Sequence, residues 1–270
     1  NMRRKLNCNI ALFRMDPQNA NVQALLRKGG MACVAEDGYI TINKGGWKIR
    51  VAKISDIPLT MGGRARFMIS NILAAVLAVY VREPKLEEIR LALETFIPSP
   101  SQTPGRMNEF RFRHFTVLVD YAHNSAGYQA LSDYLAATPA SYKTGIIAGV
   151  GDRRDEDIRE LGVIAAGMFD RIIIRQDRNN RGRSSDCLLY TSRSRSSEEI
   201  IGLLMEGIRS KNTEIPCEII PKESEAIDYA IRTARKGELL TICSDVVPDA
   251  LEQIKQLKEQ DDREALAAQA

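Results

Sequence analysis

FTVLVDYAHNSAGY, residues 115–128, decides the fold of the larger part of the chain. Residues 115–119 are an almost unbroken apolar run ending on Asp120, and a polar turn then reaches a helix-start signal at Asn124-Ser125. The same order recurs downstream. TGIIAGVG (144–151), RIIIRQ (171–176), CEII (217–220) and LLTIC (239–243) are apolar runs of strand length. Between them apolar residues return at helical spacing, as in Ile158, Leu161, Ala165 and Met168, or Ile227, Ala230, Ile231 and Ala234. Nearly continuous apolar strands alternating with helices predict an α/β domain, its mostly parallel sheet covered on both faces. Ligands of such folds sit beyond the C-terminal ends of the strands.

Those ends are polar. The first carries Asp120, Tyr121, Ala122, His123 and Asn124; the second GVGDRRDED (149–157); the third Asp177 followed by RNNRGR (178–183); the fifth Ser244 and Asp245. Each segment alone has an ordinary reading. Asn124 or Ser125 caps a helix, His123 is structural, and the acids of 155–157 sit where the helix macrodipole favours them. Together they read as a substrate site on one rim of a sheet.

Upstream, residues 32–35, 39–42 and 47–54 have strand character, with Asp37-Gly38 and Gly45-Gly46 as hairpin turns between them. Helices are predicted over 20–28, 69–81 and 86–96. IPSPSQTPGR (97–106) places three prolines in seven residues, which stiffens the chain and removes donors. The organisation expected is a first domain over 1–97, a linker over 98–106, a second domain over 107–260 and a polar tail over 261–270.

Bulk composition bounds the partners. A net charge of +3 is too small to argue for nucleic acid or an anionic membrane, and aromatics do not interleave the arginines of 178–183. No apolar run approaches the roughly 20 residues that span a bilayer. Five dispersed cysteines without a CxxC pair, with only two histidines, suggest reduced thiols, a cytoplasmic setting and no metal site.

Four segments, in this order and spacing, resemble the Mur ligases, and within them the Mur-like C-terminal half of the cyanophycin synthetases: PSPSQTPGRMNEF (98–110), VLVDYAHNSAGY (117–128), GVGDRRDEDIRELG (149–162) and RNNRGR (178–183). SDIPLTMGGRARFMISNILAA (55–75) is similar to the end of that family's central ATPase domain. The resemblance covers roughly residues 10–255. It implies a Rossmann-like C-terminal domain preceded by the end of the ATP-binding domain, and an ATP-dependent ligase that uses Mg2+ and makes amide bonds through an acyl phosphate. For cyanophycin synthetases it implies attachment of arginine to the β-carboxyl of aspartate in a poly-aspartate chain, by an enzyme that is a homo-oligomer at full length.

By matched position, Asn71 meets adenine, Arg106 meets the nucleotide phosphates when the domains close, and Asp120 meets the ribose with His123 beside it. Charge logic adds the amino-acid substrate: Arg181 could pair with its carboxylate, and Asp152, Asp155 and Asp177 with its guanidinium. Other Mur-type ligases, acting on cell-wall precursors or folates, and a non-catalytic Rossmann-like binding module stay open as alternatives.

Three features depart from the family pattern. The sequence holds no GxxxxGK[ST] phosphate loop, so the chain is expected to be part of a longer enzyme and inactive alone. Met68 stands where the family usually has asparagine. Residues 184–195 read as an insertion, since their removal leaves RGRSSEEIIGLL with Ser196 and Glu199 spaced as a capping box. Within that stretch, CLLYTS (187–192) also matches the translation of a common sequencing adapter.

Overall fold

All four residues of the Asp37-Gly38 and Gly45-Gly46 turns have positive φ (52°, 80°, 54° and 85°) in the computed structural model. Two-residue hairpin loops with this geometry match the twist of the strands they join. The structure describes residues 8–82, 85–151, 153–177 and 196–267, and the chain divides into two units, Asn1–Ile97 and Pro98–Ala270. No helix among the described residues is long and apolar enough to cross a membrane.

In the first unit the hairpins join β2 (Met31–Glu36), β3 (Tyr39–Lys44) and β4 (Trp47–Lys53), and β1 (Ala11–Arg14) pairs parallel to β2 at the edge. Helix α1 (Ala20–Leu26) follows β1. Helices α2 (Arg66–Tyr80) and α3 (Leu86–Thr95) complete the unit. Ile69, Ile72, Leu73 and Val76 of α2 pack on Ile40, Ile42 and Val51 of the sheet. That is the i, i+3, i+4, i+7 stripe of a helix lying on a sheet face.

The second unit is a six-stranded sheet in the order β5-β6-β10-β7-β8-β9. Its parallel strands are β6 (Thr116–Asp120), β7 (Tyr142–Ile147), β8 (Arg171–Ile174), β9 (Cys217–Ile219) and β10 (Glu238–Cys243). One antiparallel edge strand, β5 (Asn108–Arg111), pairs with β6. Helices α4 (Ser125–Ala136), α5 (Asp155–Met168), α6 (Ser197–Lys211), α7 (Glu223–Arg232) and α8 (Val247–Ala267) connect and follow the strands. The mostly parallel α/β sheet predicted from the alternation is therefore observed.

Side-chain alternation shows which helices lie on which face. Val117 and Val119 of β6, with Leu240 and Ile242 of β10, face α7 and α8. Cys243 points the other way and meets Tyr128 of α4. Helix α4 packs on α5, and α5 on α6. The α5–α6 crossing is close because Gly162 and Gly207 meet there; a Cβ on either would come within 3.0 Å of backbone in the facing helix.

Helix α6 opens with the expected capping box: Ser196 N–H donates to Glu199 Oε2 at 2.8 Å and Glu199 N–H to Ser196 Oγ at 3.2 Å. Helix α8 takes in residues 261–267 of the expected polar tail, where Asp261 Oδ2 accepts the Arg113 N–H at 2.9 Å.

Gly207→Ala is expected to lower the unfolding free energy by about 1–3 kcal/mol, as overpacking does. Gly202→Ala, on the same helix with open space around its Cα, is expected to raise it by roughly 0.5–1 kcal/mol. Urea denaturation of both variants checks the pair.

Candidate functional site

Strand register brings the polar turns to one edge. Asp120 pairs with Cys243, Ile242 with Ile146, and Ile147 with Ile174, so β6, β10, β7 and β8 all end at the same level. The turns after them carry Tyr121 to Asn124, Ser244 and Asp245, Gly149 to Gly151, and Arg175 to Asp177. Strand β10 leads to α8 on one face, while its neighbours β6 and β7 lead to α4 and α5 on the other. Such a reversal opens a crevice at the strand ends, the place where open α/β sheets bind ligands. The candidates Asp152 and Arg181, the RNNRGR turn and the insertion at 184–195 lie outside the described residues.

At the β6 side of this crevice Arg106, Asp120, Tyr121 and His123 come together. The exposed Arg106 guanidinium lies over the Tyr121 ring, 5.4 Å from its centroid, and the His123 ring is 4.8 Å from that of Tyr121. His123 Nδ1 donates to the Tyr121 carbonyl at 2.9 Å, so a neutral ring keeps its lone pair on Nε2. Asp120 is buried, and its Oδ2 accepts the Met107 N–H at 3.1 Å. Burial pushes its carboxyl above the usual range, against the opposing pull of the Met107 and Ala122 amides and of the nearby Arg106 and His123. Residues 103–106 of the expected linker are thus built into the second unit, because Tyr121 N–H donates to the Gly105 carbonyl at 2.9 Å and Met107 is bound to Asp120.

Farther along the rim lies an ion network with Arg175, at the end of β8, as its centre. Its guanidinium, 1% exposed, pairs through Nε with Glu223 Oε2 at 2.7 Å and through Nη1 with Asp245 Oδ1 at 2.5 Å. Its Nη2 donates to the Cys243 carbonyl at 2.7 Å and its Nη1 to the Gln176 carbonyl at 2.9 Å. Ser244 Oγ donates to the second oxygen of Glu223 at 3.0 Å. Burial alone would push the Asp245 carboxyl up, but its hydrogen bond with Asp177 and the Arg175 charge outweigh this and hold it below the usual range. The candidate Asp177 thus lies within hydrogen-bonding reach of Asp245.

Asp155, half-buried, is in the acidic first turn of α5 with Glu156 and Asp157, and Arg154 grips Asp157 at 2.7 and 3.1 Å. Asn124 caps α4 by accepting the Gly127 N–H at 2.8 Å. Asn71 is exposed on α2 of the first unit, and Met68 is buried there. The Cys243 thiol is pushed up to about 12, mainly by burial, so it is not poised as a nucleophile. Arg175 and Glu223 were not visible as site residues in the sequence; an arginine closing an apolar strand is the one signal that could have flagged them.

A mostly parallel α/β sheet with these turns on its C-terminal rim is the architecture of the C-terminal domain of Mur ligases. Residues 105–246 match the family described as Mur ligase, glutamate ligase domain, and the chain belongs to that family. Among its relatives is the cyanophycin synthetase of Synechocystis sp., 41% identical over 254 residues that make up 94% of this chain and 28% of the relative. The UDP-N-acetylmuramoyl-L-alanyl-D-glutamate--2,6-diaminopimelate ligase of Caldanaerobacter subterraneus is 30% identical over 178 residues, 65% of this chain and 33% of that one. The chain thus spans 28% of the length of its Synechocystis relative and 33% of its Caldanaerobacter relative. The folylpolyglutamate synthase of Mycobacterium tuberculosis, solved with ADP and AMPPCP, shares the fold with a TM-score of 0.58 at 17% identity, over 92% of this chain and 55% of that one.

Arg175→Met is expected to lower stability by about 3–5 kcal/mol at neutral pH, because it strands Glu223 and Asp245 without their cation. The folded-state pKa of Asp245 lies below its unfolded value, so its contribution is complete above roughly pH 4 and is lost as pH falls through the lowered value. Denaturation curves across the acid range should accordingly show a shallower decline in Asp245→Asn than in the wild type.

Proposed function

We propose that this chain supplies the amino-acid-adding part of an ATP-dependent amide ligase that joins arginine, through its α-amine, to the β-carboxyl of aspartate in a poly-aspartate (cyanophycin) chain. The observation that carries this reading is the gathering of Arg106, Asp120, Tyr121 and His123 at the strand-end crevice, in a chain 41% identical to a cyanophycin synthetase over 94% of its length.

The chemistry makes a poor electrophile reactive in two steps. A carboxylate oxygen attacks the γ-phosphorus of ATP, the bond to the bridging oxygen breaks and ADP leaves. The amine nitrogen then attacks the acyl carbon, phosphate departs with the bonding pair, and the amine gives up a proton. Negative charge collects on phosphate oxygens in both steps, and an exposed guanidinium at the rim is suited to stabilise it. Its perch on the Tyr121 ring leaves the outward N–H groups free for oxygen ligands.

For the amino-acid substrate, the reading assigns the described carboxylates Asp155 and Asp177, together with Asp152, to its guanidinium, and Arg181 to its carboxylate. Among the described residues no three His, Cys, Asp or Glu side chains gather so as to hold a metal ion. Magnesium enters this reading as the companion of the ATP phosphates.

The test replaces the matching residues of the Synechocystis relative by this chain and follows phosphate release from ATP in the presence of a cyanophycin primer. Release is expected with arginine and to fall about 10²–10³-fold in kcat for Arg106→Ala, the size of effect that removal of one charge-stabilising donor has elsewhere. Release that responds to diaminopimelate or glutamate instead of arginine would overturn the substrate assignment.

A further inference from the structure

The turn that carries Arg106 is fastened by a residue two places after it. Asn108 is buried, 2% exposed, and uses both ends of its amide. Its Oδ1 accepts the Gly105 N–H at 2.7 Å and its Nδ2 donates to the Thr103 carbonyl at 3.0 Å. Arg106 stands between two residues in the left-handed region, Gly105 at φ 67° and Met107 at φ 53°. Glycine adopts that conformation readily, whereas a residue with a Cβ does so only when its surroundings impose it.

The surroundings here are specific. Met107 N–H is bound by Asp120, the Gly105 carbonyl by Tyr121 N–H. Gly105 lies so close to Val247 that a Cβ would meet its side chain inside 3.0 Å. The turn is thus bolted to the end of β6 and the start of α8, and Asn108 closes it from within.

We propose that Asn108 is a positioning residue: its amide sets the turn that aims the Arg106 guanidinium across the Tyr121 ring at the crevice, so that the cation is in place before a phosphate-bearing ligand arrives. This inference rests on the phosphate role given to Arg106 above. Asn108 itself touches no reacting group; it acts through Arg106. A side chain that needs one acceptor and one donor at fixed positions has few substitutes. Aspartate keeps the acceptor for Gly105 and loses the donor for Thr103.

Two measurements test it. Backbone amide exchange, followed on this chain, reads the turn directly. In Asn108→Ala the Met107 and Tyr121 amides, whose own acceptors the substitution leaves intact, are expected to exchange about tenfold or more faster, as local opening becomes easier. The Leu240 and Ile242 amides of β10 should keep wild-type rates. Asn108→Asp should fall between the two. If Leu240 and Ile242 accelerate as well in Asn108→Ala, the Asp variant must show the local effect alone or the proposal fails. Unchanged exchange at Met107 and Tyr121 overturns it.

The second measurement is the phosphate-release assay. There Asn108→Ala is expected to lower kcat about tenfold or more, and to add nothing further once Arg106 is already alanine, as expected of residues that act through one another. Losses that multiply would show that Asn108 acts independently of Arg106, which overturns the positioning role. If Arg106→Ala alone spares turnover, the phosphate role of Arg106 is what fails, and amide exchange still decides whether Asn108 holds the turn.

Discussion

The Arg175 guanidinium sits almost entirely out of water at the strand ends, and the geometry of the rim depends on how it is satisfied. Taking a charged group out of water costs several kcal/mol even after relaxation. Two carboxylates and two backbone carbonyls surround it and offset that cost. The planar fork matters, since only a guanidinium can present donors in these separate directions at once. Because β7 lies between β8 and β10 in the sheet, Arg175 reaches across the end of an intervening strand to hold Asp245. An apolar cluster of equal volume could supply similar stability, but would not fix the turn after β10 at a set distance from the turn after β8.

The rim has a second arginine of opposite character. Arg106 is exposed, with an aromatic face beneath it. Arg175 is buried and held by protein carboxylates and carbonyls, while Arg106 is exposed. Burial separates the two: one is bound within the rim, and in the proposed reading the other serves a ligand. The support of Arg106 is of another kind: neutral hydrogen bonds from Asn108 and a close glycine–valine contact, with no charge in the fastening except that of Asp120.

How legible this was in the sequence depends on whether a signal was local. Strands β6, β7, β8 and β10 could be read because they are buried on both faces, which leaves continuous apolar runs. Strand β5 could not: NEFR is an edge strand with Phe110 as its one apolar residue, and it forms only because β6 offers a partner. The polar composition of 261–270 suggested a tail, yet α8 continues because Asp261 is tied to Arg113, far away in sequence. Proline content marked 98–106 as a stiff linker, but composition says nothing of what the last four residues dock against. Asp120 and His123 were legible as rim residues because the C-terminal ends of parallel strands must share an edge. Arg175 was not, since an arginine that ends an apolar strand reads the same whether it meets water or a glutamate at position 223.

Asp120 links these observations. The resemblance to Mur ligases implies that its carboxylate contacts a nucleotide ribose, while the structure uses Oδ2 to bind the Met107 amide. The two uses are compatible, because a carboxylate offers about four lone-pair sites and Met107 occupies one. Burial has already raised the pKa of this carboxyl, so any further donor to it is worth more than the same donor in water. A ribose hydroxyl bonding there would share the carboxylate with the amide next to Arg106. Contact at the sugar and placement of the cation would then be coupled through three consecutive groups: the carboxylate, the Met107 amide and the backbone of the turn. Coupling of that kind needs no moving hinge beneath Arg106. It needs a turn held rigidly enough for a change at one end to be felt at the other, which is what a doubly hydrogen-bonded Asn108 provides.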